Sequence, residues 1–237
     1  MRLDGIASAL RRAMEQFDLF LPRSPDQLED VFRLRYQVYC LERGFEPAEN
    51  GRESDAFDPF ARHALIRHRA TRQAVGTVRL IVPAPIVSTS GGAAAQMPIT
   101  LVCGSALLDR LPTAHTAEIS RFALSKHYRA EDGMSEPLLR LLLMRGIVAL
   151  SGELGLTHWC ALMEPCLLRL LRTSAIHFQP AGPLVEHHGL RQPSIGVIGD
   201  VLARMEREQP MIWDFVTDGG TLWHDHEFRD QELLVAA

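Results

Sequence analysis

Apolar positions along the chain recur at two spacings, and the changes between them mark its elements. Residues 1–20 alternate charged and apolar residues at helical spacing, which predicts a short amphipathic helix ending near Leu21-Pro22. A stronger helical stripe, Leu28, Val31, Phe32, Val38 and Tyr39, predicts a second helix from about Gln27 to Glu42, stopped by Gly44. Period-two alternation over 62–69 and 74–82, with Ala70-Thr71-Arg72-Gln73 between, predicts a β-hairpin. Glu118–Lys126 starts with the same alternation and reads as a further strand. Pro137 opens a long helix that runs to about Leu154, before Gly155. Beyond it the pattern predicts a strand over Leu156–Met163, a helix over Glu164–Ser174, and short strands at Ile176–Phe178 and Leu184–His187. A helix capped by Ser194 and running to about Glu206, and a terminal strand over Met211–Val216, complete the pattern.

This order predicts an α+β fold (an α/β sandwich) with a mixed central sheet flanked by helices. Residues 1–25 read as an N-terminal extension, 26–217 as the domain, and 218–237 as a polar tail. The stretch Pro83–Pro98, with Ser88-Thr89-Ser90-Gly91-Gly92, is low in complexity and is the part of the chain least expected to carry chemistry, and a mobile insertion is expected near 83–115.

Several charges sit where the pattern wants apolar residues. Arg35 falls at the centre of the second helix's stripe, and Arg79 shares a strand face with Val75, Thr77 and Ile81. A buried guanidinium keeps its charge and must find acceptors. Asp55, Asp58 and Glu118 are the acids the pattern offers. Glu118 and Arg121 stand three residues apart on one strand, so regular alternation would point them to opposite faces. Either a bulge brings them together or they have separate tasks. The structural alternative is an ion-pair network holding a strand to a helix. The segment 45–58 mixes acids with Phe45 and Phe57, as a loop folded over a pocket does.

The 237 residues carry 46% apolar side chains and a net charge of −4, which fits a globular protein and argues against general nucleic-acid binding. Cys40, Cys103, Cys160 and Cys166 show no metal or disulfide spacing, and reduced thiols of the cytoplasm are the expectation. No apolar run reaches the ~18–20 residues of a membrane span. His177, His187, His188, His224 and His226 fit no zinc pattern, so no metal is expected.

The arrangement resembles the acyl-homoserine-lactone synthase branch of the GNAT-like acyltransferases from about Val31 to Leu124, and more weakly to Met163. It does so in Arg35 with Val38-Tyr39, in Gly44-Phe45, and in a complete D-x-F-D element at Asp55-Ala56-Phe57-Asp58. A G-x-x-R-L element, Gly76–Leu80, and a complete E-x-S-R-F element, Glu118–Phe122, follow in the same order. Phe45 stands where that family has tryptophan. The C-terminal third, with Met163-Glu164-Pro165 and Glu186–Arg191, looks closer to N-acyl amino acid synthases, in particular the acyltransferases of bacterial exosortase (PEP-CTERM) systems.

The resemblance implies a GNAT-like, mostly antiparallel sheet and an N-acyltransferase that moves a long-chain acyl group from acyl carrier protein to an amino acid. It implies catalytic positions at Glu118, Arg121 and Phe122, and substrate positions at Arg35, Phe45, Asp55, Asp58 and Arg79. No cofactor is expected, the acyl carrier protein or coenzyme A thioester being a substrate. A lactone synthase using S-adenosylmethionine and a non-catalytic acyl-binding module are the alternatives. In chemical terms, a carboxylate beside the acceptor amine can hold it as ammonium or take its proton, the role given to Glu118. Backbone N–H groups after Arg121 are the candidates for the oxyanion. Arg191 is the candidate for the acceptor's own carboxylate. No G-x-G-x-x-[GA] loop precedes Pro137, which favours a carrier protein over free coenzyme A. Arg67, Arg69, Arg72, Lys126 and Arg129 are the basic candidates for docking that acidic partner.

Overall fold

The computed structural model of the chain describes residues 3–46, 50–87, 93–127 and 136–224. They fall into two compact units, Met1–Ile81 with Ile119–Leu150 and Val82–Glu118 with Ser151–Ala237. This division differs from the extension, domain and tail read from the sequence.

In the first unit, α1 (Leu3–Gln16) ends sooner than the sequence suggested. Phe17-Asp18-Leu19-Phe20 forms β1, which pairs antiparallel with β2 (Ala61–His68) from Phe17↔His68 to Phe20↔Leu65. Alternation wins over helix here because the pairing buries Phe17 completely. Ser24 opens α2 (Pro25–Arg35) with a capping box: its Oγ accepts the Gln27 N–H at 3.3 Å while the Gln27 side chain accepts the Ser24 N–H. The helix continues, widened to a π-helix, over Tyr36–Glu42. Gly44, at φ +62°, ends it by turning the chain so that the Phe45 N–H reaches the Tyr39 carbonyl at 2.8 Å. Val31, Phe32, Leu34 and Val38 pack with Leu65 and Ala123 into this unit's core. Each such side chain contributes roughly 1.5–3 kcal/mol on burial.

The hairpin forms as predicted: β3 (Ala74–Ile81) pairs with β2 and sets His63 opposite Arg79. Next to β3 lies β6 (Thr116–Leu124). A Cβ on Gly76 would lie 2.6 Å from Leu124 Cδ2, so glycine lets Leu124 pack closely over β3 without shifting. Helix α4 (Glu136–Glu153) follows, close to its predicted bounds.

In the second unit, β4 (Ala84–Val87) and β5 (Ala93–Gln96) form a hairpin and α3 spans Pro98–Cys103. Met97, Ile99 and Leu107 are buried in one core with Cys160. This part of 83–115 is therefore core rather than mobile insertion; its apolar residues lie beyond the Gly- and Ser-rich tract that dominated the composition. The first residues of β6 pair in parallel with β7 (His158–Met163), Glu118 opposite Cys160. Then β7 pairs antiparallel with β10 (Leu190–Val197), which also takes β8 (Gln179–Pro180) and β9 (Val185–Glu186). Helix α5 spans Pro165–Arg172.

Three sequence expectations fail in this unit. Ile176–Phe178 is not a strand, the short strand β8 coming only after it at Gln179–Pro180. Ser194 does not cap a helix: it lies buried within β10, opposite Ala161, and α6 starts later, at Ile198–Glu208. Met211–Val216 is not a strand but most of α7 (Pro210–Thr217), because Ile212 and Val216, one turn apart, are both buried. The start of the tail is anchored: the Trp223 indole N–H donates to the Leu156 carbonyl at 3.0 Å, while 225–237 lie outside the described residues. The strands thus make a mixed, mostly antiparallel structure flanked by seven α-helices among the described residues, as the fold class expected. No described helix is long and apolar enough to cross a membrane.

Candidate functional site

The buried arginines do find acids, and the acids come from the loop after the π-helix. Asp55-Ala56-Phe57-Asp58 folds on itself: the Asp55 carboxylate accepts the Phe57 N–H at 2.9 Å and the Asp58 carboxylate accepts the Asp55 N–H at 2.7 Å. This turn aims both carboxylates at Arg79, whose Nη1 lies 2.7 Å from Asp55 and 2.8 Å from Asp58. Arg35 Nη1 reaches the same Asp58 oxygen at 2.6 Å. The Arg79 Nε–H donates to Ser120 Oγ at 3.0 Å and so ties the network to β6.

Glu53, which the sequence reading did not single out, takes the place expected of Glu118 in this network. One of its oxygens accepts from Arg35 Nε, and the other from Arg121 at 2.9 and 3.1 Å. Arg121 Nη2 also lies 3.4 Å from Asp55 and 3.6 Å from Glu46, with its guanidinium 5.3 Å from the Tyr39 ring centre. Counting charges does not find Glu53, since Asp55, Asp58 and Glu118 already offer one carboxylate for each of Arg35, Arg79 and Arg121. Arg121 itself has φ +49° in mid-strand, a conformation costing roughly 1–3 kcal/mol in a non-glycine residue. The clamp from Glu53 offsets that strain and breaks the regular alternation of β6.

Exposure grades along the network and sorts its members. Arg35 and Arg79 side chains are 0% and 1% exposed, whereas Arg121, Asp55 and Glu46 are 22%, 28% and 31% exposed. The sequence reading put Arg35, Arg79 and Asp58 at the substrate. All three side chains are buried in the network, while Arg121 and Asp55 stay partly exposed. Burial raises the Asp58 carboxyl, but the Arg35 hydrogen bond and the Arg35 and Arg79 charges outweigh it and hold it at about 2. Glu53 is likewise held down, by Arg35 and Arg121 against burial.

His63, also missed, sits beside this network with Nε2 3.7 Å from Asp58 and its ring edge-on to Phe32. Burial, then the Arg35 charge, pushes it down to about 4, so it is neutral at ordinary pH. Its place followed from alternation, which puts it on the same strand face as Leu65.

Glu118 is buried at 3% exposure, and its Oε2 accepts the Ile99 N–H at 2.7 Å. Ile99 stands in the first turn of α3, where N–H groups lack partners within the helix. Ile99, directly after the Pro83–Pro98 stretch, thus supplies a donor to the candidate base. Burial and then the Glu118 charge push the Cys103 and Cys160 thiols up, which keeps both protonated. All four cysteines are free. Phe45 is half-buried with the Arg43 guanidinium 5.7 Å from its ring centre, and Phe122 is half-buried on β6. Arg191, put forward for the acceptor's carboxylate, is 2.8 Å from Glu164 and donates to the His188 carbonyl at 2.7 Å. Of the basic docking candidates, Arg67 pairs with Asp30, while Arg69 and Arg72 pair with Asp18. Lys126 contacts Glu42, and Arg129 lies outside the described residues. No cluster of metal-ligating side chains exists among the described residues.

Residues 34–137 match the acetyltransferase (GNAT) domain family. Among curated proteins none matches the sequence. Solved structures similar in fold include the acyl-homoserine lactone synthase LasI, 17% identical over 76% of this chain and 89% of that one, with a TM-score of 0.56. BjaI, a CoA-dependent acyl-homoserine lactone synthase solved with SAM and isopentyl-CoA, is 21% identical over 89% of this chain and 85% of its own, with a TM-score of 0.58. FeeM, an N-acyl amino acid synthase from uncultured soil microbes, is 14% identical over 80% and 94%, at 0.57. These likenesses establish the GNAT-like fold.

Proposed function

We propose, on the premise that residues 34–137 make this chain an acyltransferase of the GNAT fold, that it moves a long-chain acyl group from an acyl carrier protein thioester to the α-amine of an amino acid. The carrying observation is the content of one strand. β6 bears a buried carboxylate, Glu118, held by the Ile99 N–H, and also Arg121, clamped by Glu53 and Asp55. The fold shared with FeeM, an N-acyl amino acid synthase, supports the choice of acceptor.

In the proposed reaction Glu118 takes a proton from the acceptor ammonium, directly or through a water, and frees the lone pair. The nitrogen then attacks the thioester carbonyl; an N–C bond forms, the C–S bond breaks, the nitrogen gives up its second proton, and the leaving thiolate takes up one. The Ser125 N–H donates to the Val75 carbonyl and the Lys126 N–H to Glu42, so we assign oxyanion stabilisation to the β6 residues before them. This chemistry requires no resident cofactor, and a cytoplasmic location fits a donor made there.

Incubating the protein with carrier-bound and coenzyme A thioesters and a panel of amino acids, followed by mass spectrometry, tests the reading. The expected result is an N-acyl amino acid whose formation is lost in Glu118→Gln. The absence of any such product with every donor refutes it. A second reading, lactone synthesis from S-adenosylmethionine, is favoured by the complete D-x-F-D and E-x-S-R-F elements, and lactone with methylthioadenosine as products would select it.

A further inference from the structure

We infer that Glu42 is a donor-specificity residue: its carboxylate fills an anion site at the end of β6 and so disfavours free coenzyme A thioesters relative to carrier-bound ones. The inference rests on the acyl-transfer reading above and deepens it.

Glu42 is the last residue of the π-helix. Its Oε1 accepts the Ser125 hydroxyl at 2.9 Å and, more weakly, the Gln37 amide at 3.4 Å. Its Oε2 accepts the Lys126 N–H at 3.0 Å, and the Lys126 ammonium rests on the Glu42 carbonyl at 3.3 Å. Ser125 Oγ in turn accepts the His127 N–H. A hydroxyl, a backbone N–H and an ammonium, adjacent in sequence and converging at a strand end, make up the donor set that proteins use to hold a phosphate. Here the hydroxyl and the N–H hold a carboxylate from 84 residues away in sequence, while the ammonium rests on the same residue's carbonyl.

The location gives the filled site its meaning. Ser125 and Lys126 stand where β6 passes into the connection to α4, the kind of strand-to-helix junction at which nucleotide phosphates dock. A phosphate approaching this strand end meets the Glu42 carboxylate already seated on the Ser125 hydroxyl and the Lys126 N–H. Coenzyme A brings a pyrophosphate and a 3′-phosphate to such a junction. A carrier-bound thioester brings a single phosphodiester, held against the carrier's own surface. The filled site therefore bears harder on free coenzyme A.

A clamp that only joined the π-helix to β6 would lose stability on mutation and gain nothing. A filled anion site gains an affinity when emptied, and that gain distinguishes the two. Glu42→Ala empties the site, and Glu42→Gln removes its charge while keeping its shape; the second serves if the first fails to fold. Calorimetric titration with free coenzyme A is expected to show at least tenfold tighter binding to Glu42→Ala than to the wild type, with Glu42→Gln between them. With acyl thioesters as donors, the ratio of kcat/KM for acyl-CoA to kcat/KM for the carrier-bound donor is expected to rise at least tenfold. Coenzyme A affinity within twofold of the wild type in both variants overturns the inference, as does tight coenzyme A binding by the wild type itself. The binding measurement needs no turnover, so it decides on Glu42 even if no acyl product is found and the parent reading falls.

Discussion

Acid should unfold this protein in two steps, and His63 sets the first. The ring is 2% exposed, its Nδ1 has no hydrogen-bond partner, and it faces Asp58, Arg35, Arg79, Asp55 and the Phe32 ring. Protonation would add a cation beside two guanidiniums that already satisfy the available carboxylates. Burial and the Arg35 charge accordingly lower its pKa from 6.5 to about 4. Below 6.5 the unfolded chain takes up a proton that the folded one refuses, so stability falls as pH drops from 6.5 towards 4 and is full above that window. At pH 4.5 the loss relative to pH 7 comes to about 2.5 kcal/mol for this group. Asp58 has the same sign but a lower window. Its stabilisation is complete above 3.8 and is lost as pH falls through about 2. Urea unfolding of the wild type and of His63→Gln at pH 7, 6, 5 and 4.5, followed by circular dichroism, separates the two. The variant starts lower but should lose about 2 kcal/mol less than the wild type across the series. Parallel profiles for the two proteins would refute the reasoning.

Three further outcomes follow from the same geometry. Arg35→Ala takes from Glu53 and Asp58 one of the two arginines that pair with each and should lower unfolding free energy by ~3–5 kcal/mol in denaturant titrations. Glu118→Gln keeps an acceptor for the Ile99 N–H and should hold its melting temperature while turnover disappears; a loss of stability equal to that of Arg35→Ala would make the residue structural. Gly152→Ala puts a Cβ 2.0 Å from the Leu222 carbonyl oxygen, so the segment carrying Trp223 must move, at a cost of about 1–3 kcal/mol, visible in the thermal melt.

Local chemistry determined by itself much of what is found. The hairpin, the capping box at Ser24, the helix opening at Pro137 and the burial of Arg35 and Arg79 each follow from spacing and from the needs of one residue type. That the buried guanidiniums of Arg35 and Arg79 require carboxylates was legible as well, and the D-x-F-D turn was the right place to look for two of them. What the sequence left open depended on distance along the chain. Glu53 meets Arg121 across 68 positions and Glu42 meets Lys126 across 84, and no local pattern ranks those acids above their neighbours. Ser194 and Met211–Val216 were misread for the related reason that pairing with β7, and burial of Ile212 and Val216, override what short apolar runs suggest. A charge must be matched wherever it is buried, so the sequence fixes that partners exist; which partners they are is decided only when the fold brings them within hydrogen-bond reach.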